Sequence, residues 1–111
     1  MELTCKLAGR ALVVSLRGEL DHHNAAYVRQ ELERRFAAAG MRNLIFDLSE
    51  LRFMDSSGLG ILLGRFKTVS ALGGETRIAA PSEQADKLLR LSGIHKIMPI
   101  CQTVDEAAAG L

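Results

Sequence analysis

The sequence predicts a single α/β domain over residues 1–111, with a mixed, mostly parallel β-sheet of about four to five strands and about four helices. Three observations lead to this class. Short apolar runs typical of strands alternate along the chain with amphipathic helical segments. A short turn separates the first two strand segments, which predicts one antiparallel hairpin in an otherwise parallel sheet. The 111 residues, 48% of them hydrophobic, suffice for one domain with its own core.

The N-terminal part of the chain predicts a hairpin followed by a helix. Apolar and polar residues alternate at the start, and a second, more buried strand follows over residues 11–17. A helix is expected over residues 22–39, with Asp21 as its N-terminal cap and Gly40 just past its end. Residues at spacings of three and four form its apolar stripe: Ala25, Val28, Leu32, Phe36 and Ala39.

The rest of the chain predicts three further strand–helix pairs. The apolar run at residues 43–48 is typical of a central strand, a loop follows it, and a helix is expected near residues 57–72. Residues 75–80 suit the next strand. The remaining predicted elements are a helix from Pro81 to about Leu91, a short strand from Ile97 to Ile100, and a helix opened by a capping box from Thr103 to Glu106.

Composition and charge exclude several functional classes. Fourteen Lys and Arg residues against thirteen Asp and Glu give a net charge of +1. A nucleic-acid-binding surface would require a clear excess of basic residues. No apolar run is long enough for a membrane span, and no signal peptide is visible. Cys5 and Cys101 are too few for a secreted disulfide scaffold and suit small core residues. We therefore expect a cytoplasmic protein with no membrane or nucleic-acid partner.

The segment from Phe53 to Gly60, between a buried strand and an amphipathic helix, is the one that suggests chemistry. Ser57 lies at a helix start, where a phosphate on its hydroxyl could accept hydrogen bonds from the amides of the following turn. Gly58 and Gly60 leave room for the active site of another protein to approach. Asp55 could cap the helix or orient a hydroxyl, and it would repel an added phosphate. The plain structural alternative is that this segment only caps the helix.

The helix that follows predicts two contrasting faces. Residues expected to face the core are Leu59, Leu62, Leu63, Phe66, Val69 and Ser70. Residues expected on the opposite, nearly uncharged face are Gly60, Ile61, Gly64, Thr68 and Ala71. On this interpretation Ile61 is the one apolar projection of a flat docking surface. Alternatively, Gly60 and Gly64 allow the helix to pack closely on the sheet.

Enzymatic interpretations are weaker. The glycines at 58, 60 and 64 miss the dinucleotide-binding spacing by one residue, and no Walker lysine follows them. The nucleophile elbow is absent, so no catalytic residue is predicted. Asp21, His22 and His23 are adjacent, and neighbouring side chains on a helix diverge by about 100°, which suits a metal poorly. We predict no enzyme, no cofactor and no metal, with a small nucleotide-binding protein as a less favoured alternative.

Four segments carry a resemblance to a known family, and the similarity around them extends over essentially the whole chain in the same order of elements. They are Gly18–His23, Phe53–Lys67, Gly73–Glu75 and Ser92–Ile97. The sequence resembles the anti-sigma factor antagonists of the STAS domain family, and is most similar to the sporulation branch that acts on sigma factor F. This sequence departs mildly from that of the sporulation branch at Ile61 and Phe66, and departs more in the terminal helices.

The resemblance implies a protein switch. The unphosphorylated antagonist would bind an anti-sigma factor that is also a serine kinase, and so release the sigma factor. The kinase would phosphorylate the second serine, Ser57, and a PP2C-type serine phosphatase would reverse this. The family also implies that Asp21 contacts the kinase. An antagonist in a general-stress pathway remains the alternative, and the free protein is expected to be monomeric. The expected partner-binding residues are Asp21, Asp55, Ser56, Ser57, Gly58, Leu59, Gly60, Ile61 and Gly64.

Overall fold

A mixed β-sheet with helices on both faces organises residues 1–111 in the computed structural model. The strands are β1 (Glu2–Ala8), β2 (Ala11–Leu20), β3 (Asn43–Asp47), β4 (Leu51–Met54), β5 (Thr76–Ala79) and β6 (Ile100–Cys101). The α-helices are α1 (Ala25–Ala39), α2 (Ser56–Ala71), α3 (Glu83–Ser92) and α4 (Val104–Ala108), and a 3₁₀ helix covers Ile94–Lys96. The predicted fold class is confirmed.

The long strand β2 is the centre of the topology. The sheet order is β1-β2-β3-β5-β6, and only the β1–β2 pair is antiparallel. The first half of β2 pairs with β3, and its second half pairs in parallel with β4, after a register shift between Gly18 and Glu19. Because one strand serves two partners in succession, the short strand β4 extends the sheet beyond the end of β3.

Strand β4 is the element that sequence reasoning missed, since those residues were expected to form a loop. Its four residues include buried Leu51 and Met54 around exposed Arg52 and Phe53. This pattern is neither alternating nor a continuous apolar run, so it carries no strand signal. Only pairing with β2 makes it a strand.

The two faces of the sheet are covered unequally. Alternate residues of the strands divide between a main core of 21 buried residues, beneath α1, α2 and α3, and a cluster of five beneath α4. Ala107 of α4 is fully buried in the smaller cluster. The Arg77 guanidinium on β5 donates to the carbonyl oxygens of Ala107 (3.0 Å) and Ala109 (2.8 Å). This arginine thus ties the short terminal helix to the sheet.

The start of α1 differs from the prediction. Asp21 does not cap the helix, which begins at Ala25 after a turn, with Asn24 at the cap position. The Asn24 side chain makes no cap bond because it bonds backwards, donating to the Glu19 carbonyl (2.7 Å) and accepting from the Asp21 amide (3.1 Å). Asp21 instead accepts from the His23 amide (2.9 Å) and holds the turn.

The C-terminal third follows the prediction with one shift. Ser82 and Thr103 cap α3 and α4 by accepting from the amides of Ala85 and Glu106. The last strand was expected at 97–100, but it lies at Ile100–Cys101, because a 3₁₀ helix over Ile94–Lys96 takes up the preceding chain. No helix combines the length and the apolarity needed to cross a bilayer.

Candidate functional site

Two segments that are distant in sequence meet at the carboxyl ends of β2 and β4. Leu20 and Met54, the last residues of the two strands, are paired in the parallel ladder. The Asp55 amide donates to the Leu20 carbonyl (3.2 Å), and the Asp55 carboxylate accepts from the His22 amide (3.3 Å). The loops that begin at Asp21 and Asp55 therefore contact each other at one edge of the sheet, where parallel sheets gather their functional residues.

Asp55 is the N-terminal cap of α2, one of the two roles that the sequence offered for it. Its Oδ1 accepts hydrogen bonds from the amides of Ser57 (2.8 Å) and Gly58 (3.4 Å). Partial burial opposes ionisation of the carboxyl group, but the backbone hydrogen bonds from Ser57, Gly58 and His22 outweigh it, and the pKa of Asp55 is lowered. A permanent negative charge thus lies at the start of α2 at neutral pH.

This cap changes the expected role of the helix N-terminus. The Gly58 amide also donates to the Asp55 carbonyl (3.0 Å), and the Leu59 amide donates to the same oxygen (3.3 Å). These donors are engaged in the unmodified chain, and the expected binding of a phosphate on Ser57 to the amides of this turn stays a prediction that would require some of these bonds to be exchanged. The physical reason is that the Asp55 carboxylate already satisfies the first turn.

Ser57 lies in a shallow groove between α1 and α2. The groove has a volume of about 460 Å³ and is lined by His22, Ala25, Ala26, Arg29, Ser57, Gly60 and Ile61. Its α1 residues recur at helical spacing, and the small side chains among them leave space beside the hydroxyl. The ion pairs of α1 use Glu31, Glu33, Arg34 and Arg35 rather than Arg29. The Arg29 guanidinium is thus a positive group of the groove with no carboxylate partner.

The three glycines of α2 have different surroundings. A Cβ atom on Gly58 would lie 2.3 Å from Cγ of Met54, so this glycine is required by close packing. A Cβ on Gly60 or Gly64 would meet nothing within 4 Å. The close-packing alternative for Gly60 and Gly64 is therefore wrong, because both face open space.

The predicted division of α2 into two faces is wrong at Ile61 and Ser70. Ile61 was expected to project into solvent, but it is 6% exposed and belongs to the main core. Ser70, expected in the core, is exposed. The reason is that α2 packs against both the sheet and α1, so its buried side is wider than one stripe and rotated toward α1. Gly60, Thr68 and Ala71 are exposed as expected, and Gly64 is half-buried.

The other predicted site residues lie around the same edge. Ser56 is exposed, whereas Ser57 and Leu59 are half-buried. The His22 and His23 imidazoles are 71% and 78% exposed. No cluster of three or more His, Cys, Asp or Glu side chains has the geometry of a metal site.

Sequence reasoning missed two residues of this region, Arg29 and Gln84. Arg29 occupies one position of an ordinary helical surface, and Gln84 lies 30 residues from the strand residue that it contacts. Neither residue belongs to a motif. Only the packing of α1 against α2 and of α3 against β4 reveals them.

Residues 3–107 match the model of the STAS domain family. Among curated proteins, the anti-sigma F factor antagonist of Paenibacillus polymyxa is 42% identical over 89 residues, which are 80% of this chain and 76% of the relative. This chain belongs to the STAS-domain family of anti-sigma factor antagonists. The anti-sigma-B factor antagonist of Bacillus subtilis is a more distant relative of this STAS domain, 33% identical over 78% of each chain.

Solved structures of STAS-domain antagonists share the fold. A putative anti-sigma factor antagonist from Thermotoga maritima superposes with a TM-score of 0.88 at 25% identity, covering 95% of this chain and 90% of that one. SpoIIAA in its unphosphorylated form gives a TM-score of 0.81 at 32% identity, covering 96% and 92% of the two chains. The phosphorylated form of Bacillus SpoIIAA gives 0.74 at the same identity, with 96% of each chain covered.

Proposed function

We propose that this STAS domain is an antagonist that binds an anti-sigma factor serine kinase and is switched off by phosphorylation of Ser57. The observation that carries the proposal is the position of Ser57. This hydroxyl lies at the start of α2, in an open groove, at the edge where the loops that begin at Asp21 and Asp55 contact each other through the His22 amide. The names of the two relatives, antagonists of anti-sigma F and anti-sigma-B factors, support this class of partner.

The unmodified surface suits a close approach by a partner. Gly60 is exposed one helical turn from Ser57, and nothing occupies the position of a Cβ there. A kinase active site must surround the hydroxyl that it phosphorylates, so the absence of side-chain bulk is an advantage. The exposed Ser56 and half-buried Leu59 would border the contact. Binding here would bury α2's first turn and the loop at Asp21, and would compete with the sigma factor for the kinase.

A phosphate on Ser57 would change the electrostatics of this surface. It adds a charge of about −1.5 to −2 at neutral pH. The ionised Asp55 carboxylate, which holds the Ser57 amide at 2.8 Å, would repel it. Arg29, which lines the same groove, is a cation available within the chain. Desolvating this extra charge in an interface would cost several kcal/mol, so the modified form would dissociate. A PP2C-type phosphatase would then restore binding.

The phosphorylation site is tested with the cognate kinase and ATP. We expect mass spectrometry to locate one phosphate on Ser57, and the Ser57→Ala variant to remain unmodified while still binding the kinase. Ser56→Ala is the matched control, and it should be phosphorylated normally. Phosphate on Ser56, or continued modification of Ser57→Ala, would contradict the assignment.

Asp21 gives a second test of the proposed interface. Asp21→Asn removes a charge but retains the oxygen that accepts from the His23 amide, so the turn should persist. If Asp21 contacts the kinase, affinity should fall about tenfold or more, the range expected when a charged interface pair loses one partner. Asp105→Asn, on α4, is the control and should bind normally. Equal affinities for the two variants would remove Asp21 from the interface.

We propose the sporulation pathway of sigma F rather than a general-stress pathway, because the identity is 42% to the anti-sigma F antagonist and 33% to the anti-sigma-B antagonist. Titration of the protein against one kinase of each kind separates the two. Tighter binding to the kinase of the stress pathway would reverse this choice, and would leave the role of Ser57 unchanged.

A further inference from the structure

The side chain of Gln84 hydrogen-bonds to the backbone at the unpaired edge of β4. This strand pairs only with β2, so the polar backbone groups on its other side have no strand partner. Gln84, in the first turn of α3, accepts from the Met54 amide through Oε1 (3.0 Å) and donates to the Met54 carbonyl through Nε2 (3.0 Å). The carboxamide thus makes the two bonds that a neighbouring strand would make.

Met54 connects the pair of hydrogen bonds from Gln84, here called the Gln84 clamp, to the functional site. It is the residue before Asp55 and is 1% exposed, with its side chain packed against the start of α2. The backbone of Gly58 lies so close to Met54 that even a methyl group would overlap with it. Met54 is therefore held by β2 on one side, by Gln84 on the other and by α2 above. Any movement of its backbone would displace Asp55 and Ser57 with it.

We propose that Gln84 is a positioning residue that holds the segment from Met54 to Ser57 in the one conformation that the partner kinase recognises. This inference rests on the proposed function. Without the clamp, the segment would populate other conformations, and the apparent affinity of the kinase would fall by the fraction that remains competent. Once the competent conformation is bound, phosphoryl transfer would proceed at its normal rate.

The chemistry requires both a donor and an acceptor at the end of the side chain. Glutamate would retain the acceptor but place a carboxylate against the Met54 carbonyl, and methionine has similar length but neither group. Gln84→Met therefore removes both hydrogen bonds. Gln84→Glu removes only the bond that the side chain donates to the Met54 carbonyl. Gln30→Met is the matched control, since Gln30 is an exposed glutamine on α1.

The test combines amide hydrogen exchange with steady-state phosphorylation kinetics. In Gln84→Met, we expect the Met54 amide to exchange about tenfold faster, because the amide loses its acceptor and local opening becomes easier. In Gln84→Glu, which keeps that acceptor but loses the bond to the Met54 carbonyl, we expect exchange to be faster than in the wild type by a smaller factor. The KM for this protein as kinase substrate should rise about three- to tenfold, with kcat within about twofold of the wild type. Gln30→Met should match the wild type in both measurements. A purely structural role would leave KM unchanged while the variants remain folded at the assay temperature.

Two results would overturn the proposal: Met54 exchange equal to that of Gln30→Met, or faster exchange with an unchanged KM. If Gln84→Met does not fold, Gln84→Glu decides the question alone, because it retains one of the two bonds. A wild-type protein that the kinase does not modify would contradict the proposed function instead. The exchange measurement needs no kinase, and it would still show whether Gln84 fixes Met54.

Discussion

At the residue scale, the glycines of the site differ in what they contribute. Gly58 allows α2 to sit directly on Met54 and Leu20, whose nearest atoms would lie 2.3 Å and 3.1 Å from a Cβ. Gly60 has no such neighbour, and it lies within a helix, where glycine is less favourable than alanine. One glycine therefore serves packing, and the other lowers stability while leaving the surface open.

Substituting each glycine by alanine should separate these roles. Gly58→Ala should lower the free energy of unfolding by about 1–3 kcal/mol, because it overpacks a buried contact. Gly60→Ala should raise it by about 0.5–1 kcal/mol through helix propensity. Urea unfolding measures both. In addition, Gly60→Ala should weaken kinase binding by placing a methyl group beside Ser57. A stabilised variant with unchanged affinity would place Gly60 outside the interface.

Asp55 should make stability depend on acid pH. Its pKa is lowered in the folded state relative to the ordinary value of 3.8, so the unfolded chain binds its proton more readily. The stabilisation is therefore present above the unfolded pKa and is lost as the pH falls below about 5 towards the folded pKa. In a plot of the thermal unfolding midpoint against pH, Asp55→Asn should reduce the slope below about pH 5. Asp105→Asn is the control, and an equal flattening in both variants would contradict the prediction.

At the scale of elements, helix α2 shows the limit of an amphipathic pattern. A pattern of apolar residues identifies the helix, but not how many neighbours cover it. Here the sheet and α1 both pack on α2, and the Arg65 side chain reaches Glu33 of α1 (3.2 Å). Ile61 consequently lies in the core rather than on the docking surface, and its predicted role as an apolar projection is replaced by one in packing.

Truncation of two α2 residues tests this arrangement. Ile61→Ala should lower the free energy of unfolding by about 2–5 kcal/mol, as for other buried isoleucines. Thr68→Ala, at an exposed position of the same helix, should change it by less than about 0.5 kcal/mol. Urea denaturation compares the two variants directly. A small loss in Ile61→Ala would show that α1 does not cover this part of α2 in solution.

At the scale of the whole molecule, the near balance of charge leaves a phosphate as a strong local signal. The net charge of +1 means that one phosphate would reverse the sign of the whole chain. The groove beside Ser57 is open, so accommodating the phosphate requires no rearrangement of the core. Both the unphosphorylated and phosphorylated SpoIIAA structures share this fold.

We therefore expect phosphorylation to act locally. In amide NMR spectra, phosphoserine introduced at position 57 should shift resonances of residues 20–29 and 54–61, with the free energy of unfolding within about 1 kcal/mol of the unmodified protein. Arg29→Gln should enlarge any destabilisation, because it removes a cation from the groove. Shifts that extend to α4, on the opposite face of the sheet, would contradict a local switch.

The sequence by itself determined the fold class, most element boundaries, the Asp55 cap and the family. These features depend on local patterns: the apolar run at 43–48, the cap at Thr103, and the continuous motif from Phe53 onward. Each is encoded by residues close together in the chain, where spacing and side-chain chemistry are sufficient.

Tertiary structure alone decided the remainder. Strand β4 exists because β2 is long enough to pair twice, and Ile61 is buried because α1 lies across α2. The Asp55 carboxylate contacts the His22 amide, and Gln84 contacts Met54, across 33 and 30 residues of sequence. Contacts at such separations depend on how strands and helices pack, and no local pattern records that packing.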